Sequence, residues 1–194
     1  MGKKVFLALS VFFLLYACEA KQQSGQKKEI AEQTQENIKF KMLVQDVKII
    51  NQKEETRKAS LQDKLNLHDK ITTGKSSFAL ITWGLKSTFK LGANSLLELK
   101  NIANHFDGQL VEGSASFKVS SLKPNESLKI RTLLAVVGVR GTSFKVSVSQ
   151  NQTRVCVSQE KVEVSSLKEP EKTIAITPGQ AVEVIEKEEG MGLF

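Results

Sequence analysis

From Ile38 onward, apolar residues recur at every second position in short runs separated by polar turns. Phe40, Met42 and Val44 alternate, then Val47 and Ile49, with a slip near Asp46. The same period of two returns at Ser87–Leu91, at Leu97 and Leu99, at Leu128, Ile130 and Thr132, and at Phe144, Val146 and Val148. Successive side chains of a strand point to opposite faces, so each run predicts a half-buried strand. Ser77 to Trp83 is apolar at both parities, which predicts a strand buried on both faces.

Turn chemistry fills the gaps. The charged stretch 51–58 reads as a hairpin tip or exposed edge, and Gly74, Gly84 and Gly92–Ser95 read as turns. Asn101–Gly108 reads as a polar loop, and Gln109–Val119 as a strand pair around Glu112-Gly113. Pro124-Asn125 presets a turn before Leu128. Val155 and Val157 read as one arm of a hairpin, Val162 and Val164 as the other, joined across Gln159-Glu160-Lys161. Ile174 and Ile176, then Val182 and Val184 beyond Pro178-Gly179, close the series. No long helical period appears, and the three prolines all fall in turns or loops. The pattern predicts one all-β domain of many short strands over residues 38–185, with a frayed tail at 186–194. A chain of this size buries roughly two-thirds of its unfolded surface, enough for one core without disulfides.

The first 37 residues have a different texture. Lys3 and Lys4 precede an apolar run from Val5 to Leu15, shorter than the roughly 20 residues a membrane span needs. Leu15-Tyr16-Ala17-Cys18 ends it and resembles the lipobox of bacterial lipoproteins. That resemblance implies a signal peptide at 1–17 and a diacylglyceryl (palmitate-bearing) Cys18 as the first mature residue. Two acyl chains anchor stably, at about 0.8 kcal/mol per buried methylene. Residues 18–37 are rich in Gln, Lys and Glu and form a polar tether with a reach on the order of 25 Å.

Charge narrows the options only a little. The chain holds 28 basic and 21 acidic residues; loss of Lys3 and Lys4 with the leader brings the excess to +5. Lysine dominates arginine, which argues against nucleic acid as a partner. With Cys18 lipidated, Cys156 stands alone in a strand-like run, expected to be an inert, buried or half-buried thiol. His68 and His105 are the only histidines and lie without the close spacing a metal site requires, so no metal and no cofactor is expected. No nucleophile elbow and no phosphate-cradling glycine loop occurs, so no catalytic residue is assigned. Trp83 and Phe106 suggest a sugar-stacking platform less than they suggest core.

One stretch runs from Leu67 through Asp69 and Gly74 to Ala79; a second joins Leu128–Thr132 to Val137-Gly138-Val139-Arg140-Gly141-Thr142-Ser143-Phe144. Together they resemble the two halves of the FecR-type domain. Thr153–Val164 and Thr177–Gln180 continue the likeness. Three positions depart from the family's habit: His68 and Glu160 stand where glycine is common, and Leu133 where proline is common. The resemblance implies a twisted extracytoplasmic module, β-solenoid-like or sandwich-like. In the best-known members it follows a transmembrane helix and relays a receptor signal to a sigma factor. Neither that helix nor a cytoplasmic domain is evident here.

Arg140, between Gly138 and Gly141, invites two readings. A guanidinium there can pair with a carboxylate from another turn, Asp69 first, and lock the halves of the domain; alternatively it contacts a ligand from the surface. Both glycines are expected to serve a tight turn or a close backbone approach. Together these observations predict a non-enzymatic lipoprotein of the cell envelope, on the periplasmic face or outer surface of a bacterial membrane. Its domain would bind or scaffold an envelope protein or cell-wall polymer. The alternative is a sensor component that relays a ligand signal to a membrane or sigma-factor regulator.

Overall fold

The computed structural model describes residues 38–84, 87–103, 105–120 and 122–186. The expected signal peptide at 1–17, the expected lipidation site Cys18, the expected tether at 18–37 and all of the expected tail beyond Glu186 lie outside the described residues.

The described chain is all-β, with fifteen strands: β1 (Ile38–Val44), β2 (Val47–Ile50), β3 (Thr56–Lys58), β4 (Lys70–Thr73), β5 (Phe78–Trp83), β6 (Ser87–Leu91), β7 (Ser95–Ile102), β8 (His105–Val119), β9 (Ser127–Arg131), β10 (Ala135–Val139), β11 (Thr142–Ser149), β12 (Gln152–Gln159), β13 (Val162–Ser166), β14 (Thr173–Ile176) and β15 (Ala181–Ile185). They form two sheets that enclose one core. Sheet A runs β1-β5-β6-β8-β11-β12-β15. Sheet B runs β3-β2-β4-β7-β8-β9-β10-β13-β14. Every pair is antiparallel except β8 with β9, which run parallel because the chain leaves β8 in sheet A and returns to start β9 in sheet B.

β8 belongs to both sheets. Its first half, through Glu112, pairs in sheet B and its second half, from Gly113, in sheet A. The change happens at Gly113, at φ 82°, where an added Cβ would lie 2.5 Å from the Asn94 carbonyl oxygen. Only glycine permits that approach and that dihedral. The predicted strand pair around Glu112-Gly113 is therefore one bent strand of 15 residues. Most of Asn101–Gly108 is not loop either: residues 101–102 end β7 and 105–108 begin β8. Asn101, His105 and Asp107 sit on the outer face of these strands, while Ile102 and Phe106 point inward.

The alternating pattern sets the core. On β5, Ala79, Ile81 and Trp83 are buried, whereas Phe78, Leu80 and Thr82 are only half-buried, so this strand has one buried face and not the expected two. An aromatic file crosses between the sheets: Trp83 to Phe106 at 5.6 Å, Phe106 to Phe89 at 5.2 Å, Phe89 to Phe117 at 5.5 Å and Phe117 to Phe144 at 4.8 Å. Tilted and offset contacts at these separations suit the ring quadrupoles. The Trp83 indole N–H donates to the Ala103 carbonyl at 3.1 Å, which settles its buried polar end and places Trp83 in the core.

The predicted hairpin across Gln159–Lys161 is a crossing from one sheet to the other. β12 pairs with β11 and β15, and β13 with β10 and β14. The valines on both arms face the same core from opposite sheets, and sequence periodicity alone cannot tell that arrangement from a hairpin.

Candidate functional site

Two sheet-to-sheet crossings lie side by side. Arg140-Gly141 carries the chain from β10 to β11, and Glu160-Lys161 carries it back from β12 to β13. Thr142 Oγ1 donates to the Gln159 carbonyl and Ser143 Oγ to Gln159 Oε1, so the first strand residues after one crossing hold the last residue before the other. Thr142 and Phe144 are buried, with the Phe144 ring stacked on Phe117 at an interplanar angle of 11°. Gly141 has φ 146°, a conformation that excludes most side chains. Gly138 behaves otherwise. It sits mid-strand opposite Lys129 and Glu163, and an added Cβ would meet open space. The expected turn or close approach at Gly138 is thus absent; its missing side chain leaves the floor of a shallow groove open.

That groove encloses about 450 Å³ and is lined by Ser127, Lys129, Gly138, Arg140, Glu160 and Glu163 among others. The Arg140 backbone is structural: its carbonyl accepts from the Leu122 N–H at 3.1 Å and so holds the return from β8 to β9. Its side chain is exposed and makes no ion pair among the described residues. The expected Arg140–Asp69 lock does not form. Asp69 is buried in the turn that leads into β4, where its carboxylate accepts from the Asn66 backbone N–H at 2.8 Å and from the Asn66 amide at 3.3 Å. The physical reason is local. Asp69 satisfies its charge within three residues, inside a turn closed by His68 N–H to the Leu99 carbonyl and Leu99 N–H to the Asp69 carbonyl. Gly74 closes the other end of β4, donating to the Asp46 carbonyl at 2.8 Å, with the Asp46 side chain over its α-carbon.

An arginine does clamp two strands, but it is Arg131. Its Nε lies 3.0 Å from both Asp107 carboxylate oxygens and Nη2 lies 2.9 Å from Oδ2. Hydrogen bonding to Asp107 holds the guanidinium above its ordinary range, against a smaller opposing effect of burial. This pair bridges the parallel strands β8 and β9. The signal was present in the alternation of β9, which puts Lys129 and Arg131 outward together, but its partner lay in the stretch read as a loop.

Cys156 is half-buried on the outer face of sheet A, and Arg154 is held above its ordinary range by Cys156 first and Glu183 second. Among the described residues no three His, Cys, Asp or Glu side chains are placed to hold a metal ion. No helix there is long and apolar enough to cross a membrane. The groove is lined by the Arg140 guanidinium, by Lys129 and Lys161, and by Glu160 and Glu163, of which Lys161 and Glu163 pair at 3.5 Å. Arg140 and Lys129, without an ion pair among the described residues, can pair with carboxylate or phosphate groups of a partner.

Comparison with known proteins fits this geometry. Residues 69–163 match the family described as FecR protein. None of the curated proteins matches the chain. The fold is similar to that of a candidate anti-sigma factor from Parabacteroides distasonis, in crystal structures at 2.50 and 1.65 Å, with TM-scores of 0.52 and 0.51 and 23% identity in each. The match covers 60% of this chain and 54% of theirs, so the chain spans about half the length of the solved protein.

Proposed function

We propose that this chain, which carries a FecR domain over residues 69–163, is a sensor or regulator component of envelope signalling, acting by binding and not by catalysis. The observation that carries this reading is the domain match itself. It supports the relay over a general scaffold, because FecR-type domains serve regulation. The groove beside Arg140 is the surface we assign to recognition of a partner protein, since its guanidinium has no ion pair among the described residues. Among the described residues β14 and β15 each pair on one side only, and these edges offer a second means of capture by strand addition. Lipidation at Cys18 would hold the module at a membrane, outside the cytoplasm.

Deletion of the gene, followed by transcript profiling, tests this. A defined set of transcripts should change, return with the intact chain, and stay changed with Arg140→Ala at equal protein level. An unchanged transcript profile alongside altered envelope integrity would overturn the relay in favour of a scaffold.

A further inference from the structure

The outer face of sheet A is chemically unlike that of sheet B. Across sheet B and its turns most cations are neutralised: Lys48 by Asp46, Arg57 by Asp63, Lys70 by Glu54, Lys100 by Glu98 and Arg131 by Asp107. On sheet A, Lys39, Lys90, Lys118 and Lys145 point outward, exposed, and none of them has an ion pair among the described residues. The strand segments of that sheet from β1 through β12 contain no Asp or Glu. The first carboxylate is Glu183 at the far edge, already held by Arg154 at 2.9 Å.

The lysines are also arranged. Register puts Lys39, Thr82, Thr88, Lys118 and Ser143 in one row across the strands. Leu80, Lys90, Ser116, Lys145 and Cys156 form the next row. At the centre, Thr88, Lys118 and Ser143 face Lys90, Ser116 and Lys145, so lysine and hydroxyl alternate like the squares of a checkerboard. No two lysines sit directly opposite one another, which limits their mutual repulsion. Between them lies a shallow depression of about 420 Å³ lined by Thr88, Lys90, Ser116, Lys118, Ser143 and Lys145. At the β1 side the face turns apolar, where Met42 pairs with Leu80 and Val44 with Phe78, and Lys90 Nζ rests 4.1 Å above the Phe78 ring.

We propose that this face docks on the anionic headgroup layer of a phospholipid bilayer. Three observations select a bilayer over a soluble polyanion. The face is broad and shallow, without a cleft for a single strand of polymer. It joins unpaired lysines and hydroxyls, suited to phosphate oxygens, to an exposed apolar margin suited to the headgroup–acyl boundary. And residues 18–37 lead into Ile38, the start of this sheet's edge strand, so an anchor at Cys18 would tether the domain through the sheet that carries this face. A diacyl anchor at Cys18 would hold the chain by itself, and the basic face would then set which side of the domain meets the headgroups. The geometry rests on the anchoring reading, but the binding itself does not.

The test uses the mature chain from residue 18 carrying Cys18→Ser, so that neither an acyl chain nor the leader holds it, sedimented with vesicles of phosphatidylcholine alone or with about one-third phosphatidylglycerol. The protein should partition to the anionic vesicles and leave them as salt rises. Lys90→Gln, Lys118→Gln and Lys145→Gln together should weaken partitioning on the order of 100-fold. An equal charge change at the β3 edge of sheet B, Lys53→Gln, Lys58→Gln and Lys64→Gln, should leave most of it. Equal loss in both triples, or no preference for phosphatidylglycerol, overturns the proposal. So does capture by soluble polyglutamate with no vesicle binding, which would assign the face to an acidic polymer. None of these readouts depends on transcription, so the regulator reading stands or falls separately.

Discussion

The Thr153 hydroxyl donates to the Thr132 hydroxyl at 2.8 Å, joining sheet A to sheet B through the core. Both residues are buried. Thr132 Oγ1 also accepts the N–H groups of Leu134, at 3.1 Å, and Ala135, at 2.9 Å, and donates to the Ala135 carbonyl. One oxygen therefore closes the β9–β10 turn and receives the opposite sheet. The two threonines are not equivalent. Thr132→Val strands several buried donors and should cost about 2–3 kcal/mol, whereas Thr153→Val removes one donor and should cost about 1 kcal/mol or less. Denaturant midpoints at unchanged slope would measure this; equal costs would refute the asymmetry.

Two of the positions where this chain departs from the family's habit are strained. His68 has φ 66° and Glu160 has φ 52°, both left-handed. Side-chain-bearing residues pay about 1–2 kcal/mol there, and glycine escapes this while losing more entropy on folding. His68→Gly and Glu160→Gly should each raise stability by roughly 0.5–1 kcal/mol. The weak His68–Glu98 contact at 3.8 Å takes little from the first. A fall in thermal midpoint in both variants would contradict this account.

Glycines 113 and 138 make a matched contrast. Gly113→Ala drives a Cβ to 2.5 Å from the Asn94 carbonyl oxygen at a positive φ and should cost on the order of 3 kcal/mol or prevent folding. Gly138→Ala meets nothing within 4 Å and should change stability by less than about 0.5 kcal/mol. Soluble yield and calorimetric midpoint separate them.

The two arginines should divide the same way. Asp107→Ala frees Arg131 and should cost about 1 kcal/mol, a figure kept small because the Arg131 side chain is 42% exposed and screened by solvent. Arg140→Ala should leave stability within about 0.5 kcal/mol. A large loss with Arg140→Ala would restore a structural role that the geometry does not show.

How much of this was legible beforehand depends on the residue. Period-two alternation found the strands that carry Val47, Ile49, Phe89, Leu97, Leu128, Phe144 and Val146, because burial on one face writes that pattern directly. It missed the end of β7 and the start of β8 within Asn101–Gly108, where polar residues outnumber the inward Ile102 and Phe106. It joined Val157 to Val162 as a hairpin because alternation records inside and outside, not which sheet. The motif at Gly138–Phe144 was visible, as was the burial of Phe144. The partner of Arg140 was misassigned because Asp69 finds its donors three residues away, and no pattern in sequence forbids that. The lysine checkerboard needed register: Lys90, Lys118 and Lys145 are separated in sequence and meet only when β6, β8 and β11 are laid side by side.

The strand that serves both layers has a mechanical meaning. Its backbone is unbroken from Phe106 to Val119, so the layers are riveted along one line and cannot slide like stacked plates. A pull applied at Ile38 loads β1, and that load is handed across β5 and β6 to β8. It then tilts the Arg140 groove with the rest of the body, as a handle turns a key.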